Sequence, residues 1–483
     1  MATSVKLFHG TLVLTVGRMA GYALSFARNL ILARALAKTD YALAAVFSMA
    51  MILLEVAGRM AFGQQIIQSN DGDLPEFQST AHALQFVGGV CGCVLIVALS
   101  TPMAYLFGVP HIAWAFASLA VVPLFQGLCH LDISRRQRHF EYVPLILVDV
   151  VPQAVTVALT WPMALWFGDY RAIVWLMIGK AVMGTAMTFM FARRRYSWTW
   201  NPSYVSSMLS FGWPLLLNGL VMFLSQQADQ ILVGRVFSLS MLASYSLAFA
   251  LVSTPWYIFT QVGSALMLPL MSRVQNDPVL FRQQYGMCVQ VGAICGVILT
   301  LPLVVAGEQI VGLLYGVKYQ GSGFVPLLGA SFAIRFLRFA PTMASLARGD
   351  TISQLYLNLW RGINLPLGIV IILLGGDGIQ VAACALVAEF VAVGVSVIQL
   401  WQRQSIPIRD NYRAFSFVFI LVSISLVLGM LNVTNLNLWM GVVFAIASFI
   451  ISLFLAWIWF PVVGNQIIET LRQRVRARRC EVM

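Results

Sequence analysis

Apolar segments as long as a transmembrane helix follow one another along almost the whole chain. A helix needs about 20 apolar residues to cross the hydrocarbon core of a bilayer. The mean hydropathy of +0.83 and the charged fraction of 10% exclude an ordinary soluble domain. We therefore predict an all-α polytopic membrane protein with about 14 transmembrane helices, near residues 9–35, 41–66, 81–103, 111–130, 144–167, 171–192, 207–232, 241–268, 287–306, 324–345, 355–374, 378–400, 414–430 and 437–461.

The basic residues between these segments predict the orientation of the chain. If the N-terminus is cytoplasmic, the opposite side carries only Lys38, Arg171, Arg235 and Lys318. Arginine and lysine are enriched in cytoplasmic loops. We therefore predict a multi-pass protein of the bacterial cytoplasmic (inner) membrane with both termini in the cytoplasm. The cytoplasmic arginines would be Arg135, Arg136, Arg138, Arg193, Arg194, Arg195, Arg273, Arg282, Arg348, Arg403, Arg409, Arg413, Arg472, Arg474, Arg476, Arg478 and Arg479.

A short internal repeat divides the chain into two halves. Leu-Ala-Arg at residues 32–34 precedes Tyr-Ala-Leu-Ala at 41–44, and Leu-Val-Gly-Arg at 232–235 precedes Tyr-Ser-Leu-Ala at 245–248. An offset of six helices gives two pseudo-symmetric lobes of the same orientation. The predicted parts are an N-terminal lobe at 1–200 (helices 1–6), a C-terminal lobe at 201–405 (helices 7–12), and helices 13–14 with a basic cytoplasmic tail at 406–483.

Charged residues lie inside several of the apolar segments. A charge at the bilayer centre costs roughly 2.5–3.5 kcal/mol, so such residues are expected to face a polar interior. Arg335 and Arg338 are three residues apart and share one face of a helix. Glu55 and Arg59 have the i, i+4 spacing that allows an ion pair. Basic residues outnumber acidic ones in the segments, which favours an anionic substrate.

These intramembrane charges are the candidate functional residues. We predict substrate-binding roles for the basic members and a coupling or structural role for the acidic ones. Ion pairs between helices, or side chains reaching the membrane interface, are the alternative for each of them. The basic set is Arg28, Arg59, Lys180, Arg335, Arg338 and Arg361, and the acidic set is Glu55, Asp229 and Glu389.

The sequence lacks the motifs of nucleotide- and metal-dependent chemistry. It has no G-x-x-x-x-G-K-[ST], no G-x-G-x-x-G and no His/Cys metal spacing. We therefore predict no enzyme, no cofactor, no metal and no nucleic-acid partner, with transport energy from an ion gradient, the membrane potential or the substrate's own gradient. A membrane polymerase or ligase is disfavoured because no large outer loop is present.

Several stretches resemble a known transporter superfamily. Residues 25–36, Ser-Phe-Ala-Arg-Asn-Leu-Ile-Leu-Ala-Arg-Ala-Leu, resemble the first helix of the multidrug/oligosaccharidyl-lipid/polysaccharide (MOP) flippases. The lipid II flippase branch has Arg-Asp where this chain has Arg28-Asn29. The stretches that resemble the Wzx-type exporters of colanic-acid and succinoglycan type lie at 135–140, 211–218, 228–235, 245–248 and 268–273.

The resemblance implies a V-shaped, two-lobed transporter that works by alternating access. Its substrate would be an undecaprenyl-pyrophosphate-linked oligosaccharide repeat unit for exopolysaccharide, capsule or O-antigen biosynthesis. Arg28 is the phosphate contact that the resemblance supports best, since guanidinium groups bind phosphate oxygens bidentately. The implied partners are the lipid-linked oligosaccharide, membrane lipid, polymerase and chain-length proteins of the same pathway, and a coupling ion (H⁺ or Na⁺).

Two other transport functions stay open within the superfamily. A cation-coupled small-molecule (drug) antiporter should have an acidic cavity, because its substrates are cations. A lipid II flippase is disfavoured by Asn29 and by the other matching stretches.

Overall fold

In the computed structural model, every element of the described residues 2–58, 62–350, 352–430 and 438–460 is helical. The α-helices are α1 (Ala2–Ala35), α2 (Lys38–Gly58), α3 (Phe62–Gln68), α4 (Pro75–Leu106), α5 (Ala113–Ser118), α6 (Val121–Gly127), α7 (Asp132–Arg138), α8 (Val143–Phe167), α9 (Arg171–Phe191), α10 (Pro202–Val236), α11 (Leu239–Arg273), α12 (Pro278–Tyr315), α13 (Phe324–Leu337), α14 (Phe339–Ala347), α15 (Ile352–Arg361), α16 (Asn364–Leu373), α17 (Gly378–Gln404), α18 (Tyr412–Met430) and α19 (Leu438–Trp459). Short 3₁₀ turns lie at Asn70–Asp73, Pro110–Ile112, Val317–Tyr319 and Ile408–Asn411.

The all-α membrane class predicted from the sequence is confirmed, but the count of 14 spans is not. In the described part of the chain, 11 helical segments are long and apolar enough to cross a membrane. The count becomes 12 if the bent pair Pro110–Gly127 and Asp132–Arg138 forms one span. Helices α1 and α2 occupy the first two predicted segments and are not among these spans.

A polar cap followed by proline starts two of the long helices, α10 and α12. The Asp277 carboxylate accepts hydrogen bonds from the amides of Val279 and Leu280, and Pro278 takes the first position of α12. Asn201 and Pro202 start α10 in the same way. A proline at the first position loses no intrahelical hydrogen bond, because that amide has no partner in the helix.

Prolines inside two segments break them beside arginines. Pro341 has no N–H to donate to the carbonyl of Leu337, and α13 and α14 meet at Arg338. Pro366 stands near the start of α16, and α15 ends at Arg361. Both arginines therefore lie where a helix is interrupted, and broken helices of this kind often form substrate and ion sites in transporters.

The internal repeat is visible in the order of the helices. Helix α1 ends one residue after Arg34, and α10 ends one residue after Arg235. In each case the next helix begins three residues after the previous one ends, at Lys38 and at Leu239. This agrees with two pseudo-symmetric halves, whereas the lobe boundaries at 200 and 405 stay predictions.

The chain folds into two compact units, which we describe separately. Unit 1 comprises Met1–Gln261 and Gly362–Val381, and unit 2 comprises Val262–Arg361 and Ala382–Met483. In unit 1, α8 packs between α1 and α9, and α10 packs on α2 and α16. In unit 2, α12 is the central helix and packs against α13, α18 and α19.

Candidate functional site

Unit 2 contains a buried cluster of three arginines around one carboxylate. The Nε and Nη2 atoms of Arg335, on α13, lie 2.8 and 2.6 Å from Oε1 of Glu389, on α17. The Nε atom of Arg361, at the end of α15, lies 2.9 Å from the same oxygen. Oε1 of Glu389 therefore receives three charge-assisted contacts from arginines on two different helices and holds α13, α15 and α17 together.

The second oxygen of Glu389 and the side chain of the third arginine make no hydrogen bond to a described residue. Oε2 of Glu389 is buried and has no hydrogen-bond partner among the described residues. The Nε atom of Arg338 is 3.8 Å away, which is too far for a hydrogen bond. Arg338 therefore keeps its donors available although its side chain is buried.

The cluster carries an excess of positive charge in a buried place. Arg335, Arg338 and Arg361 are 6–7% exposed and Glu389 is 1% exposed. One carboxylate balances one of the three guanidinium groups, so the formal charge of the cluster is about +2 at neutral pH. Removing one partner of a buried ion pair typically costs about 3–5 kcal/mol, which makes Glu389 the residue on which this arrangement depends.

Unit 1 contains a cavity of about 480 Å³ with a similar charge pattern. Its wall includes Arg18 and Arg28 of α1, Lys180 of α9 and Asp149 of α8. Three basic groups thus face one acidic group. Helix α1 approaches α8 closely at Gly17, where a Cβ atom would lie 2.8 Å from Cδ1 of Ile146.

Arg28 also lines a second, smaller cavity of about 170 Å³ in unit 1. Apart from Arg28, the polar side chains of that wall are uncharged, among them Asn29, Gln227, Gln230 and Ser246. The Nε atom of Arg28 is buried without a hydrogen bond in the described structure. Arg28 therefore stands in the wall between a charged cavity and a neutral one.

Asp229 lies next to the neutral cavity but is engaged by its own neighbours. Its Oδ2 atom accepts a hydrogen bond from the Tyr245 hydroxyl, and its Oδ1 atom accepts one from the backbone amide of Gln230 at 2.9 Å. Asp229 is 6% exposed. The contact with Tyr245 joins α10 to α11, and both contacts suit the structural alternative for Asp229.

The structure brings the predicted site residues together in two groups and leaves some outside. Arg335, Arg338, Arg361 and Glu389 form the unit 2 cluster, while Arg28 and Lys180 line the 480 Å³ cavity of unit 1. Glu55 lies on α2, but its side chain and the whole of Arg59 lie outside the described residues.

Two residues of the charged cavity were missing from the predicted site. Asp149 is an acidic residue within the apolar segment 144–167, as Glu389 is within 378–400. Arg18 lies ten residues before Arg28 on the same helix. The intramembrane position of Asp149 was therefore a usable sequence signal, whereas the grouping of these residues around a cavity depends on helix packing.

Sequence comparisons place the chain among known polysaccharide proteins. The family model described as "Polysaccharide biosynthesis protein" matches residues 31–323. The amylovoran biosynthesis protein AmsL of Erwinia amylovora is 24% identical over 67% of this chain and 82% of its own length. The lipopolysaccharide biosynthesis protein WzxC of Escherichia coli (strain K12) is 21% identical over 64% of this chain and 62% of its own length. The chain thus spans less than two thirds of WzxC.

Comparison with solved structures identifies the fold. The lipid II flippase MurJ superposes with a TM-score of 0.73 at 13% identity, covering 94% of this chain and 99% of MurJ. A multidrug resistance MATE family transporter of the MOP superfamily gives a TM-score of 0.66 at 11% identity, covering 84% of this chain and 96% of the transporter. At these identities the likeness is one of fold alone.

Proposed function

Since the chain belongs to the family of polysaccharide biosynthesis proteins and has the fold of the MOP transporters, we propose that it flips a lipid-linked oligosaccharide across the bacterial cytoplasmic membrane. The substrate is an undecaprenyl-pyrophosphate-linked repeat unit for exopolysaccharide, capsule or O-antigen biosynthesis. The protein moves it by alternating access and catalyses no covalent step.

The excess of buried positive charge is the observation that carries this proposal. The wall of the 480 Å³ cavity in unit 1 and the arginine cluster of unit 2 each hold three basic side chains and one carboxylate within apolar helices. Charged groups at such depth are costly and are retained where they serve a pathway. A pyrophosphate offers several anionic oxygens, and planar guanidinium groups bind such oxygens with paired hydrogen bonds.

Arg28 and Arg338 are the basic residues that we assign most directly to the pyrophosphate. Neither guanidinium is saturated by the described residues: Arg28 has a buried Nε atom without a partner among them, and Arg338 is 3.8 Å from an oxygen of Glu389. Lys180 supports Arg28 in the wall of the 480 Å³ cavity. Arg335 and Arg361 hold Glu389 and shape the cluster around Arg338. We assign Arg59 to the same substrate pathway on the sequence argument alone.

A drug antiporter is the rival function that the fold allows. A MATE family transporter shares the fold, but a carrier of organic cations needs a net acidic site. The basic excess in both units opposes cation binding by direct repulsion. A lipid II flippase shares the fold as well. Its substrate also contains a pyrophosphate, so the sugar attached to the lipid distinguishes that function from the one we propose.

Deletion of the gene tests the proposal. The deletion strain should lose a surface or secreted polysaccharide and accumulate lipid-linked repeat units on the inner face of the membrane, and the wild-type gene should reverse both effects. Normal polysaccharide together with hypersensitivity to cationic drugs would establish the antiporter instead. Arrested cell-wall synthesis with lipid II accumulation would establish the lipid II flippase.

The cellular setting of the proposal follows from the same reasoning. The protein lies in the inner membrane with both termini in the cytoplasm, and it delivers repeat units to polymerase and chain-length proteins on the outer side. A coupling ion, H⁺ or Na⁺, or the membrane potential drives the cycle. Glu55, Asp229 and Glu389 are the acidic residues from which an ion-coupling group would come.

A further inference from the structure

We propose that the neutral 170 Å³ cavity of unit 1 binds the first sugar of the lipid-linked repeat unit, directly beside the pyrophosphate. This inference rests on the proposed function and adds a site for the carbohydrate part of the substrate. The residues that line the cavity come from α1, α2, α9, α10 and the first part of α11, and all of them belong to unit 1. Apart from Arg28, its wall is uncharged.

The shared position of Arg28 argues for a continuous substrate path within unit 1. Arg28 lines the 170 Å³ cavity and also the 480 Å³ cavity that contains Arg18 and Lys180. In the substrate, the first sugar is bonded directly to the pyrophosphate. An arginine between a cationic cavity and a neutral polar one is therefore in the right place for the bond between phosphate and sugar.

The polar groups of the neutral cavity suit hydroxyl groups rather than charges. Gln230 Nε2 donates to Gln227 Oε1 at 3.1 Å, and Ser246 Oγ donates to Gln230 Oε1 at 3.2 Å. These two hydrogen bonds fix the orientation of the Gln230 side-chain amide, and fixed amides recognise ligands at a lower entropic cost. Amides offer both donors and acceptors, as a sugar hydroxyl requires.

Asn29 contributes an amide that the protein itself does not use. Its side chain makes no hydrogen bond to another described residue, and the amide nitrogen of Gln227 makes none either. Apolar groups fill the rest of the wall, including Leu32, Met49 and Phe249. A few polar groups set among apolar ones are typical of small-molecule sites, and a sugar ring presents hydroxyls at its edge and C–H groups on its faces.

Binding measurements with two lipids test this assignment. The full-length protein in lipid nanodiscs is titrated with undecaprenyl pyrophosphate, and separately with undecaprenyl pyrophosphate carrying the first sugar of the repeat unit recovered from the deletion strain. Wild-type protein should bind the sugar-bearing lipid at least about 5-fold more tightly, the equivalent of one neutral hydrogen bond.

The variants separate the sugar site from the phosphate site. Asn29→Leu breaks no hydrogen bond of the protein and should weaken binding of the sugar-bearing lipid about 5- to 10-fold, with binding of the bare lipid unchanged. Ser246→Ala should have the same selective effect. Ser244→Ala is the matched control, because Ser244 is a buried serine on the same helix that lines neither cavity. Arg28→Ala should weaken binding of both lipids.

Three results would overturn the assignment. Equal affinity of the wild type for the two lipids would exclude any sugar contact and leave the flippase function intact. Equal weakening of both lipids by Asn29→Leu and Ser246→Ala would mean that these residues act on the fold or on the phosphate. Failure of the wild type to bind either lipid would overturn the proposed function together with the sugar site.

Discussion

Two nitrogens of Arg335 contact a single oxygen of Glu389, at 2.6 and 2.8 Å. The other oxygen of Glu389 has no hydrogen bond to a described residue, and Nε of Arg338 is 3.8 Å from it. The carboxylate therefore has one saturated side and one open side. This asymmetry separates the structural arginines from the one that is available to a ligand, and it leads to the first two predictions.

Glu389→Gln should strongly lower the stability of the protein. The substitution leaves three buried guanidinium groups without a counter-charge, and breaking a buried pair from one side costs about 3–5 kcal/mol. The thermal unfolding midpoint of the purified protein in detergent measures the effect. Glu141→Gln is the control, because Glu141 is partly exposed in a loop and such pairs contribute about 1 kcal/mol or less. Equal shifts for the two variants would contradict the prediction.

Arg338→Gln and Arg335→Gln should affect stability and transport in different proportions. Arg338 makes no hydrogen bond to a described residue, so its loss should leave the unfolding midpoint equal or higher while polysaccharide export falls. Arg335→Gln removes the contacts to Oε1 and should lower the midpoint. Export is measured per molecule, at matched protein levels in the membrane. Unchanged export by Arg338→Gln would make this arginine part of the scaffold alone.

Arg28→Ala should reduce export about 10- to 100-fold, since a hydrogen bond to a charged group contributes about 1.5–3 kcal/mol. Arg28→Lys should also reduce export, because an ammonium group lacks the planar fork of guanidinium. The control is Arg403→Ala, which removes a partly exposed pair with Asp350 and should be mild. Near-normal export by Arg28→Ala and by an Arg335→Ala/Arg338→Ala double variant would reduce these arginines to structural ion pairs.

The loop after α7 should lose a stabilising contact in acid. Hydrogen bonding from Arg136, with the charges of Arg136 and Arg193, holds the pKa of the Glu141 carboxyl below its ordinary value of 4.5. A lowered pKa in the folded state gives stability above pH 4.5 that disappears as the pH falls through the lowered value. Unfolding midpoints of wild type and Glu141→Gln should therefore differ at pH 6 and converge well below pH 4.5. At pH 6 the difference should correspond to less than about 1 kcal/mol in the free energy of unfolding, because the pair is partly exposed. A difference that persists in acid would exclude the ion pair as its source.

Reporter fusions should place both ends of the chain in the cytoplasm. Fusions after Arg195 and after Arg479 should both give a cytoplasmic signal, because the loop arginines of this chain favour that side. A fusion after Lys318, on the opposite side, should give a periplasmic signal and serves as the control. A periplasmic signal after Arg195 would reverse the orientation.

Sequence patterns predicted the membrane fold and most of the charged residues that the structure brings together. Arg335 and Arg338 were placed on one helix face by their spacing, and both approach the same carboxylate. Pro341 lies three residues after Arg338, where the helix breaks. These features depend on residues within one or two helical turns of each other, so the sequence carries them directly.

The partners of those charges were not predictable. Glu389 lies 54 residues after Arg335, and no spacing rule connects them with Arg361. In the same way, Asn29, Gln230 and Ser246 lie far apart in the sequence, and only the tertiary structure brings them to the wall of one cavity in unit 1. The sequence by itself determined the helices, their interruptions and the excess of arginine, since hydrophobic length and proline act locally. Tertiary structure decided which charges meet and which stay open, because the rotation and contact of packed helices depend on the burial of residues far apart in the chain.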